Sequence, residues 1–169
     1  RENLPIAVDL LNQLLQGRSY EIIVVDDDSE DRTWELGFSM AKEQENLRVL
    51  RRIGRRGLSS AAMEGFLTAK GKYLLLMDAD LQHDANLIPR MIGEMPTRDL
   101  VIGSRYLEEK EVPGWNRARS WISRAGTHAA GILLKQNITD PLSGFFMIRS
   151  ERIHEIAPGL KGKGFKILL

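Results

Sequence analysis

Two stretches share one form: YEIIVVD at 20–26 and YLLLMD at 73–78 are apolar runs, rich in β-branched residues or leucine, that end in a carboxylate. Runs that are apolar at consecutive positions, not alternate ones, suit strands covered on both faces, the usual situation in a parallel sheet. Outward from this pair, LRVLR at 47–51 and DLVIG at 99–103 are two more strand candidates. The intervening pieces have helical spacing, as in Leu4, Val8, Leu11 and Leu15, and again in Leu87, Met91 and Met95. Strand and helix alternate through residue 103, which predicts an α/β domain with right-handed crossovers. Ligands of such sheets bind beyond the carboxyl ends of the strands, where both runs deliver an Asp.

With 169 residues, 43% hydrophobic and 28% charged, the chain has the make-up of one globular domain and excludes disorder and collagen-like repeats. The longest apolar pieces, Tyr73 to Met77 and Ala129 to Leu134, fall well short of the roughly 18 residues that suggest a membrane span. Against 24 basic residues stand 23 acidic ones, so bulk charge favours neither a nucleic-acid coat nor an acidic substrate. The absence of cysteine excludes disulfides, thiolate metal sites and a Cys nucleophile. The chain opens at Arg1 with neither an initiator Met nor a signal-peptide pattern, and reads as an excerpt of a longer protein. No repeat or Gly/Ser linker divides it, so residues 1–169 are expected to form a single domain. Glu108 to Gly114, with three Glu, a Lys and a Pro-Gly pair, reads as an exposed loop.

Five acids crowd into Asp26-Asp27-Asp28-Ser29-Glu30-Asp31. Like charges this dense repel unless a cation, a base edge or a helix N-terminus accepts them. Ser29 or Asp28 is a candidate N-cap for the next helix, while Asp26 and Asp27, at the strand end, are better placed for a ligand. In the second cluster, Asp78-Ala79-Asp80-Leu81-Gln82-His83-Asp84, an extended backbone would put Asp78, Asp80 and Gln82 on one side as oxygen ligands for a hard divalent ion. His83 is a poorer ligand and suits a local hydrogen bond. Arg48, Arg51, Arg52, Arg55 and Arg56 lie in an acid-free stretch ahead of Gly57 and a helical run, either as a solvated edge or as an anion attractor at a helix N-terminus. Trp115 to Lys135 is also acid-free, and its basic stripe of Arg124, His128 and Lys135 beside apolar residues suits either an interfacial helix near anionic lipid or a core helix with a wet face. Arg105 follows a strand and points to the same sheet edge as the carboxylates.

VVDDDS, GLSSAAMEGF, LLLMDADLQHD, VIGSRY, NRARSWIS and DPLSGFF occur in this chain in the order seen in family 2 glycosyltransferases. The ensemble covers nearly the whole chain and resembles the dolichol-phosphate or polyprenyl-phosphate mannosyltransferase branch. The resemblance implies a GT-A-type nucleotide-binding sandwich with a mostly parallel central sheet, lacking its first strand in this chain because the family's opening strand and Pro-Thr-Tyr-Asn-Glu-like turn would precede Arg1. It implies that Asp27 binds the nucleobase and that Asp78, Asp80 and Gln82 hold Mg²⁺ or Mn²⁺ against the donor diphosphate. Arg105, Arg119 and Ser123 would meet the acceptor and donor phosphates, and with Asp80 they make up the implied catalytic set. Two positions depart from the pattern: Asp28 stands where Gly or Asn is frequent, and Phe146 where related members often carry Arg.

The activity implied is transfer of mannose from GDP-mannose to a dolichyl or polyprenyl monophosphate, with inversion, at the cytoplasmic face of a membrane. A second enzyme reading is transfer of glucose or another sugar from a UDP donor to undecaprenyl phosphate. A receiver-type signalling domain would share the acidic strand ends, but it needs a strand-end Lys where Arg105 stands. A nucleic-acid module built on the Arg48 to Arg56 cluster is opposed by the acidic strand ends and the net charge of +1.

Overall fold

The computed structural model describes residues 1–104, 140 and 143–159. Helix α1 (Asn3–Leu14) leads to strand β1 (Ile22–Asp26), helix α2 (Thr33–Ala41), strand β2 (Leu47–Arg51) and helix α3 (Leu58–Thr68). Strand β3 (Tyr73–Leu76), helix α4 (Ile88–Glu94) and strand β4 (Leu100–Ile102) follow, and then strand β5 (Phe146–Arg149) and helix α5 (Ser150–Ile156). Single 3₁₀ turns precede and follow α4 and close α5. The four strands and the helical spacings read from the sequence through residue 103 are all present, with ends within a residue or two.

The strands form two groups. β1 and β2 pair in parallel from Ile22 opposite Leu47 to Asp26 opposite Arg51, and α2 connects them as a crossover. The other three lie in the order β3-β5-β4, with β5 antiparallel to both neighbours. The α/β reading therefore holds, and the expectation of a mostly parallel sheet meets an exception at β5, which sequence periodicity does not mark as a strand. Among the described residues the second edges of β1 and β3 carry no partner strand.

Burial explains the order. Phe145, Phe146, Met147 and Ile148 are each at most 7% exposed, so this strand is apolar on both faces. Phe146 and Ile148 point into a core with Ala62 and Phe66 of α3, Leu74 of β3 and Ile153 of α5. Phe145 and Met147 point the other way, toward Ala85, Ile88, Met91 and Met95. Leu4 and Val8 of α1 close a third core over Ile22 and Leu47, while Leu10, Leu11, Leu14 and Leu15 reach the α4 core. On the other side Gly65 of α3 lies against Val25 while Phe66 meets the Phe146 ring edge-on at 6.0 Å. Both helices thus tie the parallel pair to the antiparallel trio.

The tightest approach is at Gly103. The Gly103 amide donates to the Phe145 carbonyl at 2.8 Å, and a Cβ at Gly103 would overlap the Phe145 ring. Gly103→Ala is expected to lower unfolding free energy by about 1–3 kcal/mol, the cost of overpacking a filled core. Gly93→Ala, at an exposed point of α4 with nothing within 4 Å, should leave stability unchanged or raise it. Urea denaturation of the two variants checks this, and equal midpoints would remove Gly103 from the core argument.

Candidate active site

Four of the five acids at 26–31 find separate partners, which relieves the repulsion of the crowded run. Asp26, 5% exposed, accepts the Ser29 amide and the Ser29 hydroxyl, both at 2.7 Å. It is a structural turn residue here, against the expectation that it serves a ligand. Asp27 accepts the Gly57 amide through Oδ2 at 2.7 Å and faces the Arg52 guanidinium through Oδ1 at 3.1 Å. Asp28 sits at φ +59°, which accounts for the Gly or Asn frequent at this place, and its carboxylate takes the Arg51 Nε at 2.6 Å. Arg51 in turn lies 3.5 Å over the Trp34 ring. The expected N-cap at Asp28 or Ser29 is not formed; Asp31 accepts the Thr33 amide at 3.1 Å and the Thr33 hydroxyl at 2.7 Å at the start of α2.

These pairings also settle the arginine cluster. Arg48 pairs with Glu21 at 2.6 Å, Arg51 with Asp28, Arg52 with Asp27 and Glu64, and Arg55 with Glu64 at 3.0 Å. Four of the five arginines are thus spent on internal carboxylates, so neither a bare solvated edge nor an open anion attractor describes the group. Arg56 alone of the five has no hydrogen bond or ion pair among the described residues. With Asp27, Ser29, Glu30 and Asp31 it lines a cleft of about 490 Å³ at the C-terminal end of β1. A cleft with acids on one wall and a guanidinium on another can hold both the donor edge of a base and a phosphate.

The second acidic group lies beyond β3. Leu81 has φ +63° and Asp80 Oδ1 accepts the Gln82 amide at 3.0 Å, so the segment turns where an extended run was expected. Asp78, Asp80 and Gln82 therefore do not alternate along an extended backbone. Asp78 Oδ2 lies 3.3 Å from His83 Nε2, and the His83 ring stacks on Phe145 at 5.1 Å, the local role expected of that histidine. Asp84 caps the 3₁₀ turn before α4 by accepting the Asn86 amide. Asp78 Oδ1, Asp80 Oδ2 and the Gln82 side-chain amide take no hydrogen bond among the described residues. Carboxylate oxygens and a side-chain amide are the donor types that a hard divalent ion takes alongside phosphate and water. Among the described residues no group of three or more His, Cys, Asp or Glu could hold a metal unaided.

Sequence reasoning assigned no role to the residues that join the two sides of this region. Ser143 Oγ donates to the Gly103 carbonyl at 2.9 Å and accepts the Phe145 amide at 3.1 Å. Gly144 passes so close to Asp78 that a Cβ there would stand 3.2 Å from Oδ2. Asp140 is fully buried, and its carbonyl accepts the Ser143 amide. Ser143, Gly144 and Phe145 therefore join the Asp78 turn to Gly103. Its signal in the sequence is the DPLSGFF motif itself. No hydrogen bond or ion pair joins Asp27 to Asp78, Asp80 or Gln82. Arg105, Arg119, Ser123 and the stripe within Trp115 to Lys135 lie outside the described residues.

Carboxylates thus follow two strand ends, β1 and β3, and those after β1 line a cleft where ligands of α/β sheets bind. The sequence profile of Glycosyl transferase family 2 matches residues 1–156, and the chain belongs to that family. It is 41% identical to a dolichol-phosphate mannosyltransferase of Pyrococcus furiosus, over 100% of this chain and 48% of that protein. A dolichol-phosphate mannosyltransferase of Saccharomyces cerevisiae is 35% identical over 88% of the chain and 56% of its own length. An undecaprenyl-phosphate mannosyltransferase of Micrococcus luteus is 33% identical over 98% of the chain and 70% of its own. The chain thus spans about half the length of the first two relatives. Among the described residues no helix is long and apolar enough to cross a membrane.

The Asp26 turn carries the cleft wall, and its loss should be felt as stability. Asp26→Ala leaves the Ser29 amide and hydroxyl without their acceptor and is expected to cost about 1–3 kcal/mol in urea unfolding. An unchanged midpoint would mean that water replaces the carboxylate at no cost.

Proposed function

We propose that this chain is the catalytic part of an enzyme that transfers mannose from GDP-mannose to a dolichyl or polyprenyl monophosphate with inversion, at the cytoplasmic face of a membrane. The similarity, over 88% to 100% of the chain, to mannosyltransferases named for dolichol phosphate and undecaprenyl phosphate carries this reading. The geometry around Asp27 and Asp78 supports it. In this reading Asp27 and the cleft wall receive the nucleotide, and Asp78, Asp80 and Gln82 would hold Mg²⁺ or Mn²⁺. Family 2 glycosyltransferases in general depend on a divalent metal. When bound, the ion would offset charge on the departing diphosphate.

The acceptor phosphate is already an anion near neutral pH, so its oxygen attacks the anomeric carbon without a strong general base. The sugar–diphosphate bond breaks as the new bond forms on the opposite face, and the electron pair leaves with the diphosphate. The protein's work is to position both phosphates and to neutralise them. Arg105, Arg119 and Ser123 are assigned to those phosphates, and the acid-free segment Trp115 to Lys135 to the membrane surface where the lipid acceptor resides.

The test is a donor screen with the full-length protein, detecting the lipid product by mass from GDP-mannose, UDP-glucose and UDP-GlcNAc. Product from GDP-mannose alone is expected; product from a UDP-sugar alone would move the assignment to the other donor class. Asp80→Asn should lose most turnover while retaining its fold by circular dichroism, and excess chelator should do the same to wild type. Full turnover in either case would sink the metal assignment.

Arginine's planar fork matters where it grips a phosphate with two parallel hydrogen bonds. Arg119→Lys is therefore expected to impair transfer far more than Arg124→Lys, which changes only the basic stripe. Comparable mild losses at both positions, measured as kcat/KM for the lipid acceptor, would reduce Arg119 to a surface charge.

A further inference from the structure

The most deeply enclosed basic side chain among the described residues is Arg52, 2% exposed at the end of β2. Its backbone amide donates to the Asp26 carbonyl at 2.8 Å, which fastens it to the end of β1. The guanidinium then spreads in three directions. Nη1 lies 3.1 Å from Asp27 Oδ1 and 3.4 Å from the Gly57 carbonyl, Nη2 donates to Ser60 Oγ at 2.7 Å, and Nε lies 3.4 Å from Glu64 Oε2. Ser60 Oγ closes the ring by donating to the Gly57 carbonyl at 2.9 Å.

Two features separate this from an ordinary structural ion pair. Asp27 Oδ1 and Arg52 Nε are both sealed from solvent, and neither makes an aligned hydrogen bond. Asp27 Oδ1 is held by charge alone, while Oδ2 is held by the Gly57 amide at 2.7 Å. The Asp27 side chain nevertheless keeps 27% of its surface, and it lines the 490 Å³ cleft. A carboxylate with one sealed oxygen and one anchored oxygen can present only one edge to a ligand. Its direction is set from behind, by a guanidinium that the ligand cannot touch. Lysine could not do this, because a single ammonium reaches at most part of a partner set spread over β1 and two turns of α3.

We propose that Arg52 is a positioning residue for nucleotide binding: it aims and neutralises the Asp27 carboxylate in the cleft wall and ties it to the first turns of α3. The proposal rests on the assignment of Asp27 to the nucleotide. It adds that the cleft's affinity is set by a buried side chain outside ligand contact.

The experiment is calorimetric titration of the full-length protein with GDP in magnesium buffer, for wild type, Asp27→Asn, Arg52→Lys and the double variant, with folding checked by circular dichroism. Asp27→Asn and Arg52→Lys are each expected to weaken GDP binding about tenfold, and the double variant no more than the weaker single one, because coupled groups are not additive. If Asp27→Asn weakens binding while Arg52→Lys binds as wild type, or if the two losses simply multiply, Arg52 is no positioning residue and the Asp27 assignment survives. If Asp27→Asn binds GDP as wild type, both assignments fall. Should Arg52→Lys not fold, Ser60→Ala takes its place, since it removes the Nη2 acceptor together with the hydroxyl's bond to the Gly57 carbonyl. It is expected to weaken GDP binding about threefold in wild type and not at all in the Asp27→Asn background. Wild-type affinity for Ser60→Ala would overturn the proposal.

Discussion

The strip Ser143 to Arg149 between β3 and β4 is the contact on which the second half of the molecule depends. Phe145 and Phe146 face opposite cores from adjacent positions, and each is almost wholly buried. Full burial of a side chain of this size is worth about 1.5–3 kcal/mol, so the pair anchors both faces of the sheet at once. The same strip sets the backbone of the candidate site. Ser143 Oγ and the Phe145 carbonyl bind Gly103, Gly144 clears the space beside Asp78, and the Phe145 ring carries His83. Core packing and site geometry are therefore one construction, and a change in either is transmitted to the other without a long path.

The first half is governed by charge. Acids at consecutive positions after β1 would repel if all turned to solvent together, and the fold separates them by partner. Asp26 turns inward to Ser29, Asp27 to Arg52 and Gly57, Asp28 to Arg51, and Asp31 to Thr33. Since β1 and β2 are parallel and in register from Ile22 to Asp26, the arginines at the end of β2 arrive beside the acids at the end of β1. The parallel pairing thus brings the opposite charges together, and it does so where ligands of α/β sheets bind.

The two acidic groups differ in how much of their bonding capacity is already used. Around Asp27 the carboxylate is held by the Gly57 amide and by the charge of Arg52, which fixes its direction. Around Asp78 and Asp80 one oxygen of each carboxylate is engaged and the other is available. In the proposed reaction, whose barrier is lowered by positioning and charge neutralisation, a fixed carboxylate for the nucleotide and an under-coordinated pair of acids for the metal would divide the work.

Much of this was legible in the sequence. Consecutive apolar residues ending in Asp marked β1 and β3, the 3.6-residue spacing marked α1 and α4, and the ordered motifs marked the family, because each signal is local or survives as a pattern along the chain. The partner of each charge could not be read in the same way. Arg52 looks identical to Arg56 in the string RRIGRR, yet one is sealed behind Asp27 and the other faces the cleft. Nor could the string DADLQHD show that its backbone turns at Leu81, or that the strand filling the gap between β3 and β4 would come from residues 146–149. Those outcomes depend on contacts between positions tens of residues apart, such as Gly103 with Phe145 and Asp78 with Gly144, and only the packed chain brings such positions within reach.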